Sequence, residues 1–164
     1  MLAPVVGGVT AVGDSLMIDA APALRALVPS VDIDAAVSRS ALPGPAILRQ
    51  RAAEGRLGNS IVFDLALNGG VSADLIETVF GIAAGRRLVM LTARCPYCTY
   101  TAAENDVIRR QCVRARNCHV ADWEALANKH PEWFGSDGVH MGVGGRGAQA
   151  YAQLVRSKLS DPMR

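Results

Sequence analysis

The chain has 164 residues, half of them apolar and a fifth charged, with a formal net charge of +2 at neutral pH. That length is enough to bury a real core and that composition is not disordered. No apolar run is long enough to cross a bilayer, and the small charge argues against nucleic acid as a partner. Positions 1–12 lack the basic start, apolar stretch and cleavage site of a leader, so the chain reads as a cytoplasmic protein or as a domain of a longer one.

In chain order, Val9 to Val12 reads as a buried strand and Ser15 to Val28 as a helix interrupted in its first half by Pro22. Val31 to Val37 alternates polar and apolar residues and predicts a second strand. A helix over Pro45 to Leu57 stops at Gly58-Asn59, and Ser60 to Leu67 is a third strand. Asn68-Gly69-Gly70 turns the chain into a helix capped by Ser72 and ended at Gly85. Leu88 to Thr92 is a fourth strand, followed by a Cys-Pro-Tyr-Cys loop and a helix over Thr101 to Arg116. Cys118 to Ala121, a short helix over Trp123 to Lys129, a glycine-rich loop and a last helix ending near Leu159 complete the chain. Strand–helix alternation of this kind predicts one α/β unit spanning 1–164, with a five-stranded parallel sheet between helical layers.

Ligand sites in such sheets lie beyond the carboxyl ends of the strands. Ser15 falls where the first strand turns into a helix, so its hydroxyl faces the crevice beside helix N–H groups. Asp14 and Ser15 also suit a plain helix cap. Asp137-Gly138-Val139-His140 adds the rest of an acyl-transfer site: a serine needs a base, and the base needs an acceptor that holds its tautomer. Asn68, at the end of the middle strand, offers an amide to a developing oxyanion alongside the Ser15 N–H. As alternatives, Asn68 suits a turn and His140 an incidental surface loop. His119 and His130 fall away from the crevice rim.

Gly13-Asp14-Ser15, Asn68-Gly69 and Asp137-Gly138-Val139-His140 resemble the first, third and fifth blocks of the SGNH (GDSL-type) hydrolases. The resemblance runs from Val12 to Tyr151 and implies a flavodoxin-like strand order 2-1-3-4-5. It also implies Ser15 as nucleophile, His140 as base, Asp137 as its partner, and no metal or cofactor. The second block usually supplies a glycine N–H to the oxyanion hole; here Ser38 stands in that place. A narrower likeness is to the SGNH domains attached to membrane-bound acyltransferases that O-acetylate peptidoglycan or other envelope glycans. It rests on Val12 to Met17, Ser38-Arg39, Leu67-Asn68-Gly69, Arg94, Pro96, Asn105, Asp122-Trp123 and Asp137 to Met141. The likeness implies an acyl donor and a glycan as substrates, an integral-membrane acyltransferase domain in the same longer chain, and an extracytoplasmic location.

Cys95 and Cys98 spell a redox motif, and with Cys112 and Cys118 they mimic a zinc site. The helix from Thr101 carries Cys112 roughly 16 Å away at 1.5 Å per residue, which puts two thiols at each end of the sheet. Two local disulfides, Cys95–Cys98 and Cys112–Cys118, are therefore expected, and they fit an oxidising compartment. Arg39, beside the expected oxyanion hole, suits an anionic substrate group or a structural pairing with Asp14 or Asp64. Trp123 and Trp133 suit packing or a sugar-stacking wall. Besides the serine esterase or O-acyltransferase, two readings stay open: a non-catalytic glycan-binding module and a thiol redox protein using Cys95 and Cys98.

Overall fold

The structure, a computed structural model, describes residues 7–162; the segment read above as lacking a leader lies partly outside them. Five strands, β1 (Val9–Gly13), β2 (Val31–Ala35), β3 (Ser60–Asp64), β4 (Arg87–Leu91) and β5 (Cys118–Ala121), form one sheet in the order β2-β1-β3-β4-β5. Every neighbouring pair is parallel, with Val9 opposite Val31 and Ser60. The expected order holds. The central strands β1 and β3 are buried along their whole length, as parallel strands covered on both faces must be.

The helices are α1 (Ser15–Leu27), α2 (Gly44–Ala53), α3 (Ala73–Ile82), α4 (Thr101–Cys112), α5 (Trp123–Ala127) and α6 (Arg146–Ser160). Crossovers between parallel strands are right-handed, so α1, which moves the chain outward from β1 to β2, lies on the opposite face from α2, α3 and α4. Helices α1 and α6 pack against each other in one layer, and α2, α3 and α4 form a row in the other. The direction reverses at β1, which opens a crevice between the loops after β1 and β3.

Several element ends differ from expectation, each for a local reason. Helix α1 runs unbroken through Pro22, because Pro22 and Ile18, whose carbonyl loses its usual donor, both lie on the solvated face. The chain leaves β2 at Ala35 to reach a turn at Ser38, and β3 ends at Asp64, level with the end of β1. Leu65 to Leu67 continue buried beyond the sheet. Gly55, at φ 68°, ends α2 earlier than Gly58 would. Helix α4 stops at Cys112, because the chain must reverse before β5 starts at Cys118. The disulfides pair as expected: Cys95–Cys98 past the carboxyl end of β4, and Cys112–Cys118 at the opposite end of the sheet.

Candidate active site

Ser15 is the first residue of α1 and is 9% exposed. Asp14 precedes it as N-cap, its carboxylate accepting from the Leu16 N–H at 2.9 Å. The turn after a short 3₁₀ segment (Pro131–Trp133) brings Asp137 and His140 over this helix end. Gly138 takes φ 69° there, a conformation that favours glycine. With the turn so closed, Asp137 Oδ1 accepts from the N–H groups of Val139 (2.9 Å) and His140 (3.0 Å). Its Oδ2 lies 2.7 Å from His140 Nδ1, and His140 Nε2 lies 2.9 Å from Ser15 Oγ.

These contacts fix the protons. The Val139 N–H first, then the His140 ring and the His140 N–H, hold the Asp137 carboxyl down at about 2, so it is ionised and can only accept. His140 Nδ1 must then carry the ring proton, which leaves the Nε2 lone pair facing the serine hydroxyl. The tautomer that a general base needs follows from the turn itself.

Two further contacts hold the His140 loop. Asp19, one turn along α1 from Ser15, accepts from the N–H groups of Met141 (3.1 Å) and Gly142 (3.2 Å). Arg94 donates to the Gly138 carbonyl and to Asn128 Oδ1, with its guanidinium 4.4 Å over the Phe134 ring. The chain sequence placed Arg94 near the site without this task and gave no sign of Asp19, which meets Met141 from 122 residues away.

Ser38 and Asn68 line the same crevice of about 210 Å³ as Ser15 and His140. Ser38 is the one non-glycine with positive φ (57°) among the described residues, which accounts for the glycine usual in its block. Among the described residues, neither the Ser15 nor the Ser38 N–H donates a hydrogen bond. Asn68 Nδ2 donates to the Arg39 carbonyl at 3.2 Å and keeps a second N–H. Its turn is held by Gly69 and Gly70, both at positive φ, by Glu104 accepting from the Gly70 N–H, and by the Tyr100 hydroxyl on the Leu67 carbonyl.

The remaining candidate residues have partners away from the nucleophile. Arg39 pairs with neither Asp14 nor Asp64 and does not line the crevice; its guanidinium bonds the Asp34 carboxylate and carbonyl at 2.9 and 2.8 Å. Trp123 is fully buried and stacks on Trp133, so neither forms a sugar wall at the site. His130 pairs with Glu132 and stacks on Trp133, and His119 is buried in β5 beside Arg87. The aromatic lining that the sequence reading missed comes from Tyr97 and Tyr100, with the Cys95–Cys98 bridge between β4 and α4. A larger open depression of about 400 Å³ between α1 and α6 is lined by residues such as Pro22, Leu27 and Gln149 and holds no nucleophile or titratable group.

Behind the nucleophile sits a buried acid pair, Asp14 and Asp64. Burial, then the charge of Asp64, pushes the Asp14 carboxyl up to about 8. Burial raises Asp64 to about 6, against the Tyr151 hydroxyl that donates to it. Both shifts favour the protonated form of the pair.

No family model matches the chain. It is 25% identical over 145 residues to the O-acetyltransferase OatA of Staphylococcus aureus, covering 88% of this chain and 24% of that protein. It is 26% identical over 150 residues to the peptidoglycan O-acetyltransferase OatA of Listeria monocytogenes, covering 92% of this chain and 24% of that protein. The chain thus spans about a quarter of the length of these relatives. Among solved structures it matches the C-terminal catalytic domain of the Streptococcus pneumoniae peptidoglycan O-acetyltransferase A, solved with a methylsulfonyl adduct. There the TM-score is 0.83 at 23% identity, over 97% of this chain and 94% of that one. The resemblance read from the sequence blocks therefore extends over nearly the whole described chain, and the fold is the SGNH-type fold.

Proposed function

We propose that this chain is an SGNH-type serine esterase or O-acetyltransferase acting on acetyl groups of envelope glycans. The observation that carries the reading is the continuous relay from Ser15 Oγ through His140 to an ionised Asp137 at the wall of a crevice of about 210 Å³. Its relatives among peptidoglycan O-acetyltransferases support the substrate class. A glycan-binding module has no use for such a relay, and a thiol redox protein has no use for Ser15.

In the first half of the reaction His140 Nε2 takes the Ser15 proton as Oγ bonds to the ester carbonyl carbon. The oxyanion is met by the N–H groups of Ser15 and Ser38 and by the Asn68 amide. Collapse breaks the bond to the leaving alcohol, which receives the proton from His140, and leaves acetyl on Ser15. A glycan hydroxyl or water then gives its proton to His140, its oxygen bonds to the acetyl carbon, and Ser15 leaves with its proton restored. Asp137 stays ionised throughout and balances the imidazolium.

The two disulfides and the greater length of the relatives support a position outside the membrane, attached to an acyltransferase domain that delivers acetyl. Among the described residues no helix is long and apolar enough to cross a membrane. Hydrolysis of p-nitrophenyl acetate tests the serine reading. Ser15→Ala is expected to lower turnover at least about a thousandfold, as loss of a triad nucleophile does. Equal turnover in Ser15→Ala would favour the thiol chemistry instead.

A further inference from the structure

The three tyrosines of the chain are placed very differently. Tyr151 is buried against Asp64, and Tyr100 spends its hydroxyl on the Leu67 carbonyl. Tyr97 lines the crevice yet is 68% exposed, with no hydrogen bond or ring contact among the described residues.

The segment that carries it is nonetheless fixed. Cys95 and Cys98 are bridged, and the Cys98 N–H donates to the Cys95 carbonyl at 3.3 Å. Just upstream, the buried Asn105 side chain accepts from the Ala93 N–H and donates to the Ala93 carbonyl, both at 2.8 Å. An aromatic ring on a stapled loop gives up little freedom when a ligand covers it. Exposing it to water has no structural return here, since it packs on no neighbouring ring.

The sheet order sets what lies across from it. The loop after β2, carrying Val37 (72% exposed) and Ser38, flanks Ser15 on one side. The loop after β4, carrying Tyr97, flanks it on the other, beyond Asn68. The crevice of about 210 Å³ runs from Ser15 and His140 to Tyr97, so an alcohol attacking or leaving at Ser15 can extend toward this rim. A pyranose ring presents an apolar C–H face with hydroxyls at its edge. That suits a ring whose body is apolar and whose rim is wet.

We infer that Tyr97 is the platform on which the sugar bearing the reacting hydroxyl stacks, and that the Cys95–Cys98 bridge holds the platform in place. The inference rests on the reading of Ser15 as the acetyl-carrying nucleophile acting on glycans. Tyr97 acts by positioning and takes no part in proton transfer.

The test uses chitotetraose as the sugar and two readouts. Binding is titrated to the Ser15→Ala chain with and without Tyr97→Ala or Tyr97→Phe. With Ser15 intact and p-nitrophenyl acetate as donor, the ratio of acetylated sugar to free acetate gives the partition of the acetyl group. Tyr97→Ala is expected to weaken binding about tenfold, roughly 1.4 kcal/mol, and to lower the partition ratio to match. Tyr97→Phe should keep both, and Cys95→Ser with Cys98→Ser should fall between. Equal binding and equal partition in Tyr97→Ala would overturn the platform while leaving the serine reading intact. Binding that depends on Tyr97 in a chain whose wild type acetylates nothing would keep the platform and overturn the transferase reading.

Discussion

Ser38 holds φ at 57°, a region that costs a side chain about 1–2 kcal/mol per residue and that glycine enters freely. Glycine gives back about 0.5–1 kcal/mol through the freedom of its unfolded chain. Ser38→Gly is therefore expected to raise the melting temperature slightly and to keep p-nitrophenyl acetate turnover, because the backbone donor stays. A lowered melting temperature would mean that the serine hydroxyl makes up the strain through a contact of its own. Asp137 and His140 were legible because a four-residue turn brings them together without help from the fold. Asp19, Glu104 and Tyr97 were not, since each meets the site across a long stretch of chain and nothing local marks it. Arg39 stayed open between substrate and structural pairing because its place beside Ser38 says nothing of where its guanidinium goes; Asp34, five residues back, takes it.

The junction of β1 with α1 carries both the nucleophile and a cost. Asp14 caps α1 from a fully buried position, next to Asp64 at the end of β3. Both carboxyls stand above 3.8 when folded, so the folded chain holds more protons than the unfolded one between about pH 4 and pH 8. The stability this brings is complete below pH 3.8 and declines as pH rises through the raised values. Asp14→Asn keeps an acceptor for the Leu16 N–H and removes the titration. Thermal unfolding of the variant should lose less than wild type between pH 5 and pH 8.5, and the two curves should draw together at acid pH. Parallel curves would mean that the pair carries no proton. Element types were legible from periodicity, but element ends were set by partners. Strand β3 stops where β1 stops, and α4 stops where Cys112 must meet Cys118, neither of which a single segment reveals.

The whole molecule is organised by the reversal of chain direction at β1. That reversal gathers the loops after β1, β2 and β3 around one crevice and brings the last loop, with His140, over the start of α1. Strand–helix alternation made the parallel sheet legible, and the order 2-1-3-4-5 came with the resemblance of the sequence blocks. The same topology separates the disulfides, one stiffening the rim of the crevice and one tying α4 to β5 at the far end. The account turns on acetyl passing through Ser15. Mass spectrometry of the chain quenched during turnover of p-nitrophenyl acetate, with peptide mapping, tests this directly. The prediction is one acetyl group, carried by the peptide containing Ser15, that forms much more slowly in His140→Ala, which cannot take the Ser15 proton, and is absent from Ser15→Ala. Acetyl on another residue, or rapid turnover in a chain that never carries acetyl on Ser15, would contradict it.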